Sequence, residues 1–310
     1  MSDSFRKYLI TKPRYEICRN VCNRQSPVMT LLSSGQLSEA SHYLTAGWIY
    51  GIPEPNPCAG VHKHDHDEII LFIGGDHRTP QVLGAELEFY LSRQRIIFNT
   101  TAAVYIPGGL PHGPLLWRDF SRPHLQISLI IGAGSYEVVE LTEKKGQQEQ
   151  EIQQVTAEFD YEQYVIRSPI REAGAEFIRG RTSPTLTYLS GLHIPGLKYY
   201  IEFGWTFDIP VSNRTASGSQ MPPMAHENYE EIVLHIGGYP ANPEDLGADM
   251  EFHVGGQPLL FSNTSALFVP KGLAHGPIKL LQYRKPHIVM AIMLGAGTVK
   301  EGWGNSFKTS

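Results

Sequence analysis

Short apolar runs broken by turn residues dominate the chain. Glu68–Ile73, Glu86–Leu91, Ala102–Ile106 and Leu125–Ile131 are rich in Val, Ile, Leu, Phe and Tyr, with Gly, Pro, Asn and Asp between them. This spacing predicts β-strands joined by tight turns. Several runs are apolar at both residue parities, as expected of a strand covered on both faces. Many short strands with Pro/Gly turns point to a barrel or a sandwich. The best helical stretch, Ser135–Thr156, is rich in Glu, Gln and Lys and predicts a connector that is part helix and part loop.

The pattern occurs twice. Glu68-Ile69-Ile70-Leu71-Phe72-Ile73-Gly74-Gly75 returns as Glu231-Ile232-Val233-Leu234-His235-Ile236-Gly237-Gly238. Leu83–Phe89 returns as Leu246–Phe252, and Pro107–Pro114 as Pro270–Pro277, all 163 positions apart. Upstream, Gly47–Pro53 returns as Gly204–Pro210 with an offset of 157, so six extra residues belong in a longer loop within Val211–Met224. A period this long is far above that of solenoid repeats and reads as two whole domains made by duplication. The expected division is 1–141, a linker at 142–156, and 157–310.

Composition narrows the function. The 310 residues are 41% hydrophobic and 18% charged, enough for two domains with their own cores. A net charge of −5 gives no electrostatic footprint for nucleic acid. Cys18, Cys22 and Cys58 are too few and too irregular for a disulfide framework, so free thiols in a reducing compartment are expected. The first residues lack an apolar signal core, and no apolar run reaches membrane-spanning length. The expectation is a cytoplasmic protein without a membrane partner.

Candidate chemistry concentrates in the first half. His62 and His64, two apart, share a face if the segment is extended. Glu68 follows a short turn, and His112 follows the turn Pro107-Gly108-Gly109-Leu110-Pro111. Three imidazoles and one carboxylate form a mixed N/O set suited to a divalent first-row metal, with positions left for substrate and water. Mn, Fe, Co, Ni and Zn all suit such a set.

His62-x-His64-x3-Glu68, followed by Pro107-x-Gly109-x2-His112, resembles both motifs of the cupin superfamily, and the tandem copy resembles a bicupin. The resemblance covers nearly the whole chain. It implies an all-β fold of two jelly-roll barrels with short helical linkers and a metal inside the barrel. Cupins commonly associate through barrel faces, so a homodimer is in keeping with the family. The family does not fix the reaction, because cupins catalyse many and some catalyse none.

At a constant offset of 163 the second half is poorer in ligands. His62 aligns with Ala225 and His64 with Glu227, while Glu231 and His275 are kept. His226 falls one residue out of register, and on a strand that step faces the opposite side. The expectation is one divalent metal per chain, in the first barrel. A set of Glu227, Glu231 and His275 is the alternative second site. His235, which replaces Phe72, shares parity with Glu231 and is expected to point into the second barrel.

Other residues have weaker claims. His66 and His124 are candidate acid/base groups, each with a bland reading as a turn or fold residue. Trp48 and Tyr50 share a face on the strand before the motif and are candidates for substrate stacking, with core packing as the simpler reading. The sequence also resembles manganese-dependent bicupins of anaerobic aromatic breakdown. That likeness implies hydrolytic C–C cleavage of a small cyclic 1,3-diketone such as dihydrophloroglucinol, chelated by Mn²⁺. The alternatives are an Fe(II) aromatic-ring dioxygenase, a decarboxylase or isomerase, and a non-catalytic metal-binding cupin. The expected partner is a small carbonyl or polyhydroxylated molecule.

Overall fold

A computed structural model describes residues 5–16, 21–136, 139–140, 159–172, 178–183, 185–212 and 223–303. Chain contacts divide it into two units, one formed by Tyr15–Arg167 and the other by Met1–Arg14 with Ser168–Ser310. This division differs from the cut at 141 and 157 at both ends. Leu9–Ile10 pairs with Ser265–Val269 and so belongs to the later unit. Val165–Ile166 pairs with Ala102–Ile106 and belongs to the earlier one.

The earlier unit is a double sheet with antiparallel pairing. One sheet runs Val165–Ile166, Ala102–Ile106, Glu68–Gly74, His124–Ile130, Tyr43–Glu54 and Cys22–Arg24, with Met29–Leu32 also paired to Tyr43–Glu54. The other runs Val139–Glu140, His62–Lys63, His112–Phe120, Val82–Leu91 and Gln94–Thr100. The four strands expected from the apolar runs are all present, shifted by a few residues at their ends. Glu68–Gly74 is buried at every position, which explains why it is apolar at both parities. Between the sheets, Phe72, Leu87, Phe89, Phe98, Ile106 and Trp117 form one core. Each such side chain contributes about 1.5–3 kcal/mol through burial.

The later unit repeats this plan with matching registers. His124 pairs with Gly74 and His287 with Gly237. Leu91 faces His112, and Val254 faces His275. The Gly-Gly stretches after the central strands are close-approach turns. A Cβ on Gly75 would lie 2.4 Å from the Pro123 carbonyl, and one on Gly238 2.5 Å from that of Pro286.

The expected helical connector lies largely outside the described residues, as does Cys18. Of its described residues, Val139–Glu140 form a strand paired with His62–Lys63, and Ser135–Tyr136 are not helical either. Among the described residues no helix is long and apolar enough to cross a membrane.

Candidate functional site

In the first barrel, His64, Glu68 and His112 bring their ligand atoms together and are buried. His64 Nε2 lies 3.1 Å and His112 Nε2 3.3 Å from the same oxygen, Glu68 Oε2. His62 stands opposite His112 across the strand pair, with ring centroids 4.2 Å apart. The backbone sets all three rings. His62 Nδ1 donates to the Gly60 carbonyl at 3.0 Å, His64 Nδ1 to that of His66 at 2.7 Å, and His112 Nδ1 to that of Leu110 at 2.9 Å. With Nδ1 carrying the proton, a neutral ring presents a bare Nε2. In His64 and His112 that nitrogen faces a carboxylate oxygen.

Bare lone pairs facing a carboxylate repel one another unless a cation lies among them. The Glu68 carboxyl is held well below the usual carboxylate range; burial opposes this, and the His112 and His64 contacts outweigh it. Ser128 Oγ donates to its other oxygen at 2.5 Å. His64 is pushed up, because the Glu68 contact outweighs burial, whereas burial pulls His62 down. The same carboxylate favours a proton on His64. The triad of His64, Glu68 and His112 therefore fits a divalent ion, with Nδ1 anchoring as expected around bound metal; His62, the fourth expected ligand, stands beside the triad against His112 and outside the cluster.

The second barrel departs from the sequence-based expectation. Its buried cluster is His226, Glu231 and His275, not Glu227, Glu231 and His275. His226 Nε2 and His275 Nε2 lie 3.1 and 2.8 Å from Glu231 Oε2. His226 Nδ1 donates to the Tyr229 hydroxyl at 2.6 Å, which in turn donates to the Gly302 carbonyl at 3.0 Å. Glu227 is exposed. The correct register comes from the backbone. Gly109 N–H donates to the His64 carbonyl, and Gly272 N–H to that of His226. His62 pairs with His112, and Met224 with His275. The local offset is thus 162, and one extra residue lies between His226 and Glu231. Met224, not Ala225, takes the place of His62. The second barrel thus keeps a His–Glu–His cluster, with a thioether where the first has an imidazole.

A cavity of about 170 Å³ reaches the first triad. Its lining includes His62, Glu68, His112, Trp117, Gln126 and Ser128. The other predicted residues lie elsewhere. Trp48 is fully buried and packs beside Gly75, and Tyr50 is 39% exposed; neither lines this cavity. The His66 carbonyl orients His64, and its ring lies beside Gly132. His124 is fully buried, and Trp117 Nε1, from the cavity wall, donates to its Nε2 at 3.0 Å. Burial pulls His124 down to about 4. His235 is buried against Phe261 and Phe252, inside the second barrel as expected.

No family profile matches the sequence, and no curated protein matches it. Solved structures do. A vicilin from hazelnut (Corylus avellana) superposes with a TM-score of 0.53 at 10% identity, over 94% of this chain and 86% of its own. Oxalate decarboxylase from Bacillus subtilis superposes with a TM-score of 0.54 at 12% identity, over 93% of this chain and 75% of its own. At such identities the likeness speaks for the fold alone. With two jelly-roll units and a buried His–Glu–His triad in each, the chain has the bicupin fold.

Proposed function

We propose that the protein is a metal-dependent cupin enzyme whose first barrel opens a small cyclic 1,3-diketone by hydrolytic C–C cleavage, with Mn²⁺ as the working metal. The observation that carries the enzymatic reading is the buried triad of His64, Glu68 and His112 beside a cavity that His62, Glu68 and His112 line, with Gln126 and Ser128 as further polar groups. A cavity of about 150 Å³ accommodates a benzene-sized ring, so this one is large enough for a six-membered ring. The oxygen-rich chemistry suits Mn²⁺, and the Bacillus subtilis oxalate decarboxylase of this fold has Mn(II) centres.

A divalent ion here supplies a Lewis acid for a carbonyl oxygen and lowers the pKa of water. The chain does the rest. The Gly60, His66 and Leu110 carbonyls fix the three rings so that no reorientation is needed during reaction. Ser128 holds the Glu68 carboxylate in place. Trp117, Leu115, Ile70 and Phe89 supply apolar walls that limit water to the reacting face. A six-membered ring holds its 1,3-oxygens pointing apart, so a single oxygen reaches the metal and chelation by both does not apply. The carbon leaving group is an enolate stabilised by the far carbonyl, and no redox change is required.

The test is turnover of the Mn-loaded protein under nitrogen in ¹⁸O-labelled water, with dihydrophloroglucinol and 1,3-cyclohexanedione as substrates. One label should enter a new carboxylate of a ring-opened acid. Incorporation of oxygen from O₂, or release of CO₂, would replace this reading with a dioxygenase or a decarboxylase.

A further inference from the structure

The two barrels differ in one charge. Arg24 ends the strand Cys22–Arg24 and pairs with Ile49; Arg181 ends the strand Ile178–Arg181 and pairs with Thr206, at the same offset of 157. The two arginines are therefore equivalent. In the second barrel Arg181 is half-buried; burial holds its guanidinium below the ordinary value, and the nearby Glu202 carboxyl opposes this. Glu202 in turn accepts from the Tyr200 hydroxyl at 2.7 Å and from Thr185 at 3.1 Å. The second barrel thus sets an acidic group near its arginine, although burial holds the Glu202 carboxyl above its ordinary range.

In the first barrel that acidic group is missing. The equivalent of Glu202 is Thr45, which faces Ser128 across its ladder just as Glu202 faces Ala291. Arg24 lines the cavity that reaches His62, Glu68 and His112. Among the described residues no carboxylate pairs with it. Glu68, the carboxylate in the cavity wall, is already engaged by His64, His112 and Ser128. An arginine is charged at any physiological pH and presents a planar fork of donors that matches a delocalised oxyanion.

A second difference points the same way. Gln126 lines the first cavity, and its Oε1 is buried with no donor facing it. Its equivalent is Val289, since Gly47 pairs with Gln126 and Gly204 with Val289. Ser128 likewise becomes Ala291. A buried acceptor without a donor costs about 1–3 kcal/mol, and a ligand hydroxyl in the cavity would satisfy it. The second barrel has an apolar wall at these places and its own acidic group.

We propose that Arg24 and Gln126 form a recognition subsite for a small, hydroxyl-bearing organic oxyanion, a carboxylate or the enolate of an acidic cyclic diketone, in the first barrel alone. This rests on the reading of the first-barrel cavity as the active site, and not on the reaction assigned to it. For a cyclic 1,3-diketone it gives the second oxygen, which the ring turns away from the metal, a cationic partner in the same cavity.

The test is calorimetric binding to the full-length, Mn-loaded chain. The probes are 1,3-cyclohexanedione, its 2,2-dimethyl analogue, which cannot form the acidic enolate between the two carbonyls, and cyclohexanecarboxylate. Wild type should bind at least one of the two anions, and the dimethyl analogue at least about tenfold more weakly, the range expected for loss of a charge-assisted contact. The tighter anion decides between enolate and carboxylate. Arg24→Gln should weaken anion binding by about ten- to a hundredfold with metal content unchanged, and Arg24→Lys should recover part of it. Thr45→Glu, which installs the acidic group of the second barrel, should weaken it as much, while the neutral Thr45→Gln should not. Equal affinity of the tighter anion for wild type and Arg24→Gln, or equal wild-type affinity for that anion and the neutral dimethyl analogue, would overturn the proposal. If anion binding depends on Arg24 but no ring opening occurs, the reaction assigned above fails and the subsite stands.

Discussion

Glu68→Ala is expected to abolish ring opening, by at least about a thousandfold, while Glu231→Ala leaves it within a few-fold of wild type. Both substitutions should remove metal, because Glu68 Oε2 and Glu231 Oε2 are the points on which two imidazoles converge in their respective barrels. Altering even outer-shell partners of a ligand costs about 10–100-fold in metal affinity, and a direct ligand costs more. Elemental analysis after loading with Mn²⁺ should give two equivalents in wild type and one in each variant. The second site should be the weaker, because Met224 replaces His62 and a thioether is a poor ligand for Mn²⁺. Loading should also fall as pH drops through the imidazole range, because a proton on His64, favoured by Glu68, competes with the ion. Equal loss of activity in both variants would sink the assignment of catalysis to the first barrel. One equivalent in wild type, unchanged in Glu231→Ala, would show that the second triad is a hydrogen-bonded cluster and not a metal site.

Much of this was readable from the chain. The first set of candidate ligands is compact in sequence, and three of the four, His64, Glu68 and His112, meet in one buried cluster; the parity argument does not reach His64, because the strand ends at Lys63. The strands followed from runs such as Glu68–Gly74, which is apolar at both parities after Glu68 because every position is buried. His226 was misplaced for a specific reason. The rule that a one-residue step reverses the face applies inside a ladder, whereas His226 lies after an isolated bridge, in the turn before Glu230–Gly237, where one extra residue is absorbed. His64 occupies the same kind of position after His62–Lys63. The clue was present in the offsets, which move from 157 to 163 between Pro210 and Glu231 and need not change in one step. Arg24 and Arg181 were equally visible as an echo at offset 157. Their meaning required Thr45 and Glu202, residues that are remote from them in sequence and adjacent through the sheet. Two-residue strands such as Leu9–Ile10 carry no period at all, so their membership in a barrel is legible only from pairing.

The double substitution His235→Phe with Ser265→Ala is expected to raise the melting temperature and to flatten the acid limb of stability. His235 and Ser265 face each other across neighbouring strands, and both ring nitrogens of His235 and the Ser265 hydroxyl are buried without a partner. The first barrel has Phe72 and Ala102 at these places, and Phe72 packs on Phe98 at 5.5 Å as His235 packs on Phe261 at 5.2 Å. Each unsatisfied buried group costs about 1–3 kcal/mol, so relief of about 2 kcal/mol is a conservative figure. At about 2–4 °C per kcal/mol for a unit of this size, the rise is roughly 4–8 °C. The pH dependence has a definite sign. Burial pulls His235 down to about 3 and its neighbour His287 down to about 4, both from 6.5. The unfolded chain therefore binds protons first as pH falls, and stability is lost between about pH 6.5 and the folded values. His287 alone accounts for about 3 kcal/mol by pH 4, at 1.36 kcal/mol per unit, and His235 adds to it. Removing His235 also removes its repulsion from a charged His287, so the acid transition should move to lower pH. Thermal melts of wild type and the double variant from pH 7 to pH 4 check this. Coincident curves would show that the histidine and serine are satisfied by a buried water or ligand, and that their burial carries no penalty.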